Sequence, residues 1–221
     1  MSVRIGSRAR CALFAAAALA AFAAGCGAIA PSTAPSPSSP PAPIADGPRE
    51  RSVNFTLAGT VVQVEDGDTL TLVAAKDARF VVRLSDFDAP EIFHRRGPDR
   101  ACPGRMLPDR PGQPLGRAAR DSLASLAAGR QARAECYEID RFGRPVCHVF
   151  VAGANVNLAQ IERGWGMLSD RPDWVRDPAS RTAEAQARSR GAGVWAAADP
   201  VHPGTWREQC WGRGECTGAD S

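Results

Sequence analysis

The sequence has 221 residues, of which 44% are hydrophobic and 23% are charged, and its formal net charge is +3 at pH 7. This length allows one domain with appended segments, and the composition excludes a wholly disordered chain. Arg4, Arg8 and Arg10 supply the excess charge, because the rest of the sequence has 24 basic and 24 acidic residues. A surface that binds polyanions through high overall charge is therefore not expected, and such binding would need a local arrangement of charges.

The first segment has the pattern of an export signal. The three arginines precede an apolar run from Cys11 to Ala24, which is too short to span a bilayer and has the length of a signal-peptide core. The run ends in Ala23-Ala24-Gly25-Cys26, which resembles a bacterial lipoprotein cleavage site, although Leu is more usual at the position of Ala23. We therefore expect residues 1–25 to be a signal peptide and Cys26 to be lipidated. The alternatives are ordinary secretion and an uncleaved apolar stretch.

The second segment, residues 26–53, is rich in Pro, Ser and Ala. Such a composition cannot bury a core and behaves as an extended tether. We expect it to hold a folded domain, residues 54–207, at a membrane surface of the cell envelope. Residues 208–221 are then a tail that contains Cys210 and Cys216, and export to an oxidising compartment permits disulfides.

The folded domain begins with the pattern of three strands joined by turns. Thr56–Val64 is rich in β-branched and apolar residues, Thr69–Val73 alternates between leucines and other side chains, and Phe80–Leu84 follows a turn. These patterns predict an antiparallel meander. The stretch from Asp86 to Gln113 is rich in strand breakers and is predicted to be a long loop, which inside a domain is usually functional or mobile.

Helical and strand patterns alternate in the rest of the domain. Small and apolar residues at helical spacing predict a helix over Leu115–Ala127, and Ala132–Ile139 and Pro145–Val151 are predicted to form a hairpin. Two more helices are predicted, from Asn155 to about Trp165 and from about Pro178 to Ser189. Five strands with one helix between the third and the fourth follow the chain order of an OB-type barrel. The predicted fold is therefore α+β, a five-stranded OB-type β-barrel with three helices.

Two cysteines flank the turn of this hairpin. If Ile139 pairs with Arg144, then Cys136 lies opposite Cys147, and cross-strand Cβ distances of about 4.5–5.5 Å allow a disulfide after local adjustment. Such a bridge would brace the hairpin, but a shift of one residue in register breaks the pairing. The two cysteines of the tail could close a second, shorter loop.

Three short segments next to predicted strands combine carboxylates with arginines. They are Asp66–Thr69, Arg83–Glu91 and Asp140–Arg144. The carboxylates of the first two offer the oxygen ligands that a hard cation such as calcium requires, and the arginines of the last two can clamp a phosphate. One more carboxylate could serve as a base. Each segment alone is typical of an ordinary turn, so the three segments indicate a functional site only because they occur together.

Together and in this order, the three segments resemble the staphylococcal nuclease-like (thermonuclease) family. The similarity covers about Leu57 to Arg207 and includes D-G-D-T, R-x4-D-A-P-E and D-R-F-G-R in the three segments. It continues through Gly153–Leu158, Arg163–Gly166, Ala187-Arg188, Gly193–Trp195 and Trp206-Arg207. The resemblance implies an OB-type fold and a calcium-dependent nuclease that hydrolyses phosphodiester bonds of DNA and RNA and leaves 3′-phosphate ends.

The resemblance also implies a metal site and a base. It places the calcium ligands at the carboxylates of Asp68 and Asp88 and at the backbone carbonyl of Ala89. Many relatives have Thr at the position of Ala89, but a carbonyl ligand does not depend on the side chain. Glu91 matches the carboxylate that activates the attacking water.

The remaining matched positions contact the nucleic acid. Arg83 and Arg144 match the two arginines that hold the scissile phosphate, where a developing negative charge is stabilised electrostatically. Arg141 and Phe142 match positions that contact the nucleotide. Tyr is common at the position of Phe142, and Phe lacks the hydroxyl but keeps the stacking face.

Three functions fit these features. The first is an exported nuclease, expected to be a monomer attached to the membrane through the lipid at Cys26. The second is a catalytically inactive module that binds nucleic acid or protein, and the third is a structural protein of the envelope. All five catalytic and metal-binding side chains that the family requires are present in this sequence, which favours the enzyme.

Overall fold

A computed structural model describes residues 52–102 and 104–216 of the chain. The predicted signal peptide, Cys26, most of the predicted tether and the end of the tail lie outside the described residues. In the part of the chain that is described, no helix is long and apolar enough to cross a membrane.

The described residues form eight β-strands and four α-helices. The strands are β1 (Phe55–Val64), β2 (Thr69–Val73), β3 (Arg79–Leu84), β4 (Phe87–Asp88), β5 (Gln131–Ile139), β6 (Pro145–Val151), β7 (Ala154–Asn155) and β8 (Met167–Leu168). The α-helices are α1 (Gly116–Ala127), α2 (Val156–Glu162), α3 (Ala179–Ser189) and α4 (Pro203–Trp206), and a π-helical segment follows over Arg207–Gly212. Short 3-10 helices lie at Ala75–Asp77, Pro172–Trp174 and Gly193–Ala196.

Five of the strands close into a barrel. The strands β1, β2 and β3 form the predicted antiparallel meander, and β5 and β6 form the predicted hairpin. The long strand β1 pairs with β2 at one end and with β5 at the other, and β3 pairs in parallel with β6. This last pairing closes the barrel, so the predicted OB-type α+β fold is confirmed.

The core lies inside the barrel and beneath α1. Because side chains alternate along a strand, Leu70 and Leu72 of β2 both point inward, and neither has any exposed surface. Leu123 of α1 is equally buried. Full burial of a leucine side chain stabilises the fold by about 1.5–3 kcal/mol. Burial of Leu123 therefore favours packing of the apolar face of α1 against the barrel.

The second helix is shorter than its pattern predicts. Asn155 caps α2, because its side chain accepts a hydrogen bond from the backbone N–H of Leu158 at 3.2 Å. The helix ends at Glu162 rather than near Trp165, since Gly164 takes a left-handed conformation with φ +77°.

The hairpin register differs by one residue from the pairing predicted at its turn. Ile139 pairs with Pro145 and not with Arg144. A bulge at Tyr137 then shifts the register back, so that Cys136 lies opposite Cys147, and a disulfide joins the two residues. A bulge adds one residue to one strand, which is why an incorrect pairing at the turn still led to the observed cysteine pair.

The predicted long loop after β3 contains more order than its composition indicates. It begins with β4, which pairs with β8, and farther on it has two isolated bridges, His94 to Arg110 and Pro98 to Met106. The C-terminal helical segment packs against this loop, because the indoles of Trp206 and Trp211 lie 3.4 and 2.9 Å from the carbonyl oxygen of Pro111. A second disulfide, between Cys210 and Cys216, closes this segment.

Candidate active site

The turn between β1 and β2 positions the first carboxylate. The backbone N–H of Asp68 donates to the side chain of Asp66 at 3.0 Å, which tightens the turn. Gly67 lies against α1 and the loop after β4, and a Cβ there would lie 2.5 Å from that of Ala89 and 2.8 Å from that of Ala119. The turn therefore needs glycine because of close packing, and this packing holds Asp68 next to Ala89.

Arg83, on β3, lies between two carboxylates. Its Nη1 atom is 3.0 Å from Oδ1 of Asp68, and its Nη2 atom donates to Oδ1 of Asp88. Its guanidinium also donates to the carbonyl oxygens of Leu84 at 2.8 Å and Phe87 at 2.9 Å. One guanidinium thus connects β3 with the D-G-D-T turn and with β4.

Asp86 makes the sharp turn that brings Asp88 back toward Arg83. Its backbone has φ +79°, a left-handed conformation that aspartate tolerates better than most residues. Its carboxylate accepts hydrogen bonds from the backbone N–H groups of Arg176 and Asp177 and from the hydroxyl of Ser180. The segment before α3 thereby holds the strained turn in place.

Glu91 is the third residue after the end of β4, and both its backbone and its side chain are held by hydrogen bonds. Its carbonyl oxygen accepts from the backbone N–H of Gln113 at 2.8 Å. Its carboxylate accepts from Nη1 of Arg207, and Nη2 of the same arginine lies 3.0 Å from Oδ2 of Asp88. Arg207 therefore connects the predicted base to one of the predicted metal ligands.

Burial and neighbouring charges separate the acidities of the three carboxylates. Burial, reinforced by the charge of Asp68, raises the pKa of Glu91 to about 7, although Arg207 opposes the shift. Burial also raises the pKa of Asp68, against the opposing effect of Arg83. Burial acts in the same direction on Asp88, but there Arg83 and Arg207 prevail and the pKa lies below its usual range.

The arrangement of Asp68 and Asp88 suits a hard divalent cation. Both provide carboxylate oxygens, and a single positive group, the guanidinium of Arg83, already bonds to one oxygen of each. Over residues 52–102 and 104–216, no cluster of three or more His, Cys, Asp and Glu side chains is arranged to hold a metal. A cation at Asp68 and Asp88 would therefore need other oxygens, such as the carbonyl of Ala89 or water.

The hairpin turn carries the second predicted phosphate ligand. The Nε atom of Arg144 donates to Oδ2 of Asp140 at 2.8 Å, and the Arg144 side chain is 29% exposed. The parallel pairing of β3 and β6 places Val146 beside Arg83. Arg144 comes two residues before Val146 and therefore lies near the same end of the barrel. Its ion pair with Asp140 holds it there. Among the described residues, no bond joins Arg144 to Asp68, Asp88 or Glu91.

Phe142 is the exposed aromatic side chain at the tip of this hairpin. It is 68% exposed, and the guanidinium of Arg141 lies 4.9 Å from its ring centre. That of Arg144 lies 5.4 Å from the same ring. A flat apolar face between two cations is suited to stacking on a base while the arginines contact phosphate.

Arg207 is the site residue that sequence reasoning missed. It appeared only as part of the family match, and no role was predicted for it. Its contact with Glu91 spans 116 residues of the chain, so no local spacing indicates it. The available signal was an arginine after a tryptophan beyond the last predicted helix, which is too common a pattern to point to a carboxylate.

Comparison with known proteins identifies the family. A family model described as staphylococcal nuclease homologue matches residues 81–197. The chain belongs to this family. Arg83, Asp88, Glu91 and Arg144 lie within the matched residues, whereas Asp68 and Arg207 lie outside them.

Several curated proteins are similar to this family member over most of its folded part. An uncharacterized endonuclease of Haemophilus influenzae is 28% identical over 149 residues, which is 67% of this chain and 72% of that protein. An uncharacterized endonuclease of Escherichia coli is 30% identical over 152 residues, 68% of this chain and 85% of that protein. A micrococcal nuclease of Shigella flexneri is 27% identical over 158 residues, 67% of this chain and 79% of that protein.

Proposed function

We propose that this staphylococcal nuclease homologue is a calcium-dependent nuclease that hydrolyses phosphodiester bonds of DNA and RNA and leaves 3′-phosphate ends. The observation that carries the proposal is that Asp68 and Asp88 meet on Arg83 at one end of the barrel, while Arg207 joins Asp88 to Glu91. The names of the endonuclease and micrococcal nuclease relatives support the same reaction class.

The charges of the site match those of the reaction. Attack of water on phosphorus produces a five-coordinate centre with additional negative charge, and the bond from phosphorus to the 5′ oxygen then breaks. Guanidinium groups of Arg83 and Arg144 would donate to the non-bridging oxygens and stabilise that charge. Arginine suits this task because its planar fork forms two parallel bonds to a phosphate.

Glu91 is the group that would take the proton from the attacking water. A base works best when its pKa lies near the working pH, and burial raises the pKa of Glu91 to about 7. Asp68, Asp88 and the carbonyl of Ala89 would hold calcium, which when bound supplies a positive charge and polarises water. Arg141 and Phe142 would bind the adjoining nucleotide.

A cleavage assay with the purified protein tests the proposal. Plasmid DNA and a single-stranded RNA are incubated with calcium, and parallel reactions contain a chelator. We expect cleavage of both substrates with calcium and none with the chelator, and fragments whose 3′ ends a phosphatase can dephosphorylate. Glu91→Gln should lose most activity, whereas the control Glu208→Gln, which changes a carboxylate that is 70% exposed, should not.

The opposite results are equally clear. Binding of nucleic acid without cleavage at any calcium concentration would favour the inactive binding module. Cleavage that persists with the chelator would contradict the calcium dependence. Fragments with 5′-phosphate and 3′-hydroxyl ends would contradict the proposed bond cleavage.

We further propose that the protein acts outside the cytoplasm as a monomeric lipoprotein of the cell envelope. This proposal rests on the sequence pattern of residues 1–26, which lie outside the described residues. The disulfide between Cys136 and Cys147 supports it, because such bonds persist mainly in oxidising compartments.

A further inference from the structure

We infer that Arg207 is a positioning residue of the active site, which holds the carboxylates of Asp88 and Glu91 in a fixed relation to each other. One guanidinium bonds to both, with Nη2 at 3.0 Å from Oδ2 of Asp88 and Nη1 donating to Oε1 of Glu91. This inference rests on the proposed nuclease function, in which Asp88 binds the metal and Glu91 is the base.

The chain between the two carboxylates explains why such a connection is needed. The strand β4 ends at Asp88, and Glu91 belongs to no helix or strand. The backbone of Glu91 is fixed by Gln113, but this bond leaves the side-chain torsions free. Arg207 is the group found to bond the Glu91 carboxylate among the described residues, so it determines where a base would point relative to the metal site.

The segment that carries Arg207 is itself held by several contacts. The indoles of Trp206 and Trp211 both reach the carbonyl of Pro111, and the disulfide from Cys210 to Cys216 closes the chain just after the arginine. Rotation of the segment away from Pro111 would break both indole contacts together, while the disulfide keeps the segment itself compact. The side chain of Arg207 is thus presented by a braced element, which is what precise placement of a reacting group requires.

The contacts of Arg207 distinguish this role from that of a metal ligand. Its Nη1 and Nη2 atoms contact the carboxylates of Glu91 and Asp88, and a guanidinium has no lone pair to offer a cation. A cation beside Asp88 also opposes calcium through charge repulsion. Removal of Arg207 should therefore slow the reaction without weakening calcium binding, unlike the loss of a metal ligand.

The test compares Arg207→Gln and Arg207→Lys with the parent protein. Arg213→Gln is the matched control, because Arg213 lies on the same segment and pairs with exposed Glu208 and Glu215. Turnover is measured at saturating calcium over a range of DNA concentrations, and calcium binding is measured separately by calorimetry. We expect kcat of Arg207→Gln to fall about 10- to 100-fold, as for a misplaced reacting group, with little change in KM and with calcium binding at least as tight as in the parent.

The lysine variant adds a second criterion. Its single point charge cannot reproduce a fork between two carboxylates, so we expect it to restore only part of kcat. An unchanged kcat in a folded Arg207→Gln protein would overturn the inference. So would a loss that excess calcium fully restores, or one confined to KM.

Two further outcomes are a variant that does not fold and a parent protein that is inactive. If Arg207→Gln does not fold, as judged by circular dichroism, full activity of a folded Arg207→Lys protein overturns the inference and a reduced kcat supports it. A parent protein without nuclease activity contradicts the proposed function itself, and the positioning role then falls with it. An active parent together with equally active variants contradicts only the role of Arg207.

Discussion

Single charged side chains in the candidate active site are each held by a neighbour of opposite charge. Arg83 lies against Asp68 and Asp88, Arg144 is paired with Asp140, and Glu91 accepts from its partner on the C-terminal segment. Groups fixed in advance need little rearrangement as the reaction proceeds, which is the main source of electrostatic catalysis. Loss of Arg144, whose side chain is 29% exposed, should therefore affect turnover more than stability.

The first prediction separates a phosphate ligand from a metal ligand. Arg144→Ala should reduce turnover about 10²- to 10³-fold, and Arg144→Lys should recover only part because a point charge lacks the two-pronged contact. Asp68→Ala should weaken calcium binding first, so excess calcium should restore some of its activity. Nuclease rate measured against calcium concentration distinguishes the two, with Arg130→Ala on an exposed part of the surface as the control.

Circular dichroism is needed to confirm that these variants fold. Full activity of a folded Arg144→Ala protein would show that Arg144 does not hold the phosphate. Equal responses of the Arg144→Ala and Asp68→Ala proteins to added calcium would show that their roles are not distinct.

The second prediction concerns the glycine of the D-G-D-T turn. A Cβ at Gly67 would lie 2.5 and 2.8 Å from two other Cβ atoms, so Gly67→Ala should destabilise the fold by about 1–3 kcal/mol, as for an overpacked core. Gly97→Ala is the matched control, because nothing lies within 4 Å of a Cβ there. Urea denaturation of both variants and the parent checks this, and equal midpoints would refute it.

At the scale of elements, short connections between strands determine where the carboxylates lie. The turn from β3 to β4 is only two residues long, Ser85 and Asp86, and the second is held in a left-handed conformation by the segment before α3. The hairpin of β5 and β6 is braced by its disulfide close to Arg144. Such covalent and polar connections at the ends of strands keep the loops of the site in place.

The third prediction is a dependence of stability on pH that comes from Asp86. Burial of this carboxylate is more than offset by hydrogen bonds and charge from His148, with help from Ser85 and Asp177, so its pKa is lowered from 3.8 to about 2. The unfolded chain therefore binds the proton more readily. The resulting stabilisation, about 2 kcal/mol, is fully present above about pH 4 and is lost as the pH falls through about 2.

A comparison with Asp86→Asn measures this contribution. The free energy of unfolding is determined by urea denaturation from pH 7 to pH 2 for the parent, Asp86→Asn and the exposed control Asp121→Asn. The advantage of the parent over Asp86→Asn should shrink between about pH 4 and pH 2, while its difference from the control stays nearly constant. A parent advantage that does not change over this range would refute the prediction.

At the scale of the whole molecule, the barrel is closed by contacts between residues far apart in the chain. The parallel pairing of β3 with β6 joins Arg83 to Val146, and the C-terminal segment returns to the loop before α1. The site therefore draws on the beginning, the middle and the end of the folded domain. Truncation before the π-helical segment would remove Arg207 and with it the hydrogen bond to the Glu91 carboxylate.

The fourth prediction concerns attachment of the molecule to a membrane. The N-terminal pattern predicts lipidation at Cys26, and several acyl chains would anchor the protein stably. Cys26→Ser should therefore move the protein from the membrane fraction to the soluble fraction of the cell, since a serine cannot accept the thioether-linked lipid. Equal membrane association of the parent and Cys26→Ser proteins would contradict the anchor.

Sequence patterns alone predicted the five barrel strands, the three longest α-helices and the resemblance to the family, but not β4, β7, β8, α4 or the π-helical segment. Apolar alternation and helical spacing are local properties, so the five barrel strands and the main helices followed from short windows, and the three charged segments followed from their order. Three features depend on the tertiary fold: the parallel closure of β3 on β6, the bulge at Tyr137, and the contact of Arg207 with Asp88 and Glu91. The first and the third join residues that lie far apart in the chain, and the second is one extra residue in one strand of a pair. A local pattern of apolar side chains contains neither kind of information.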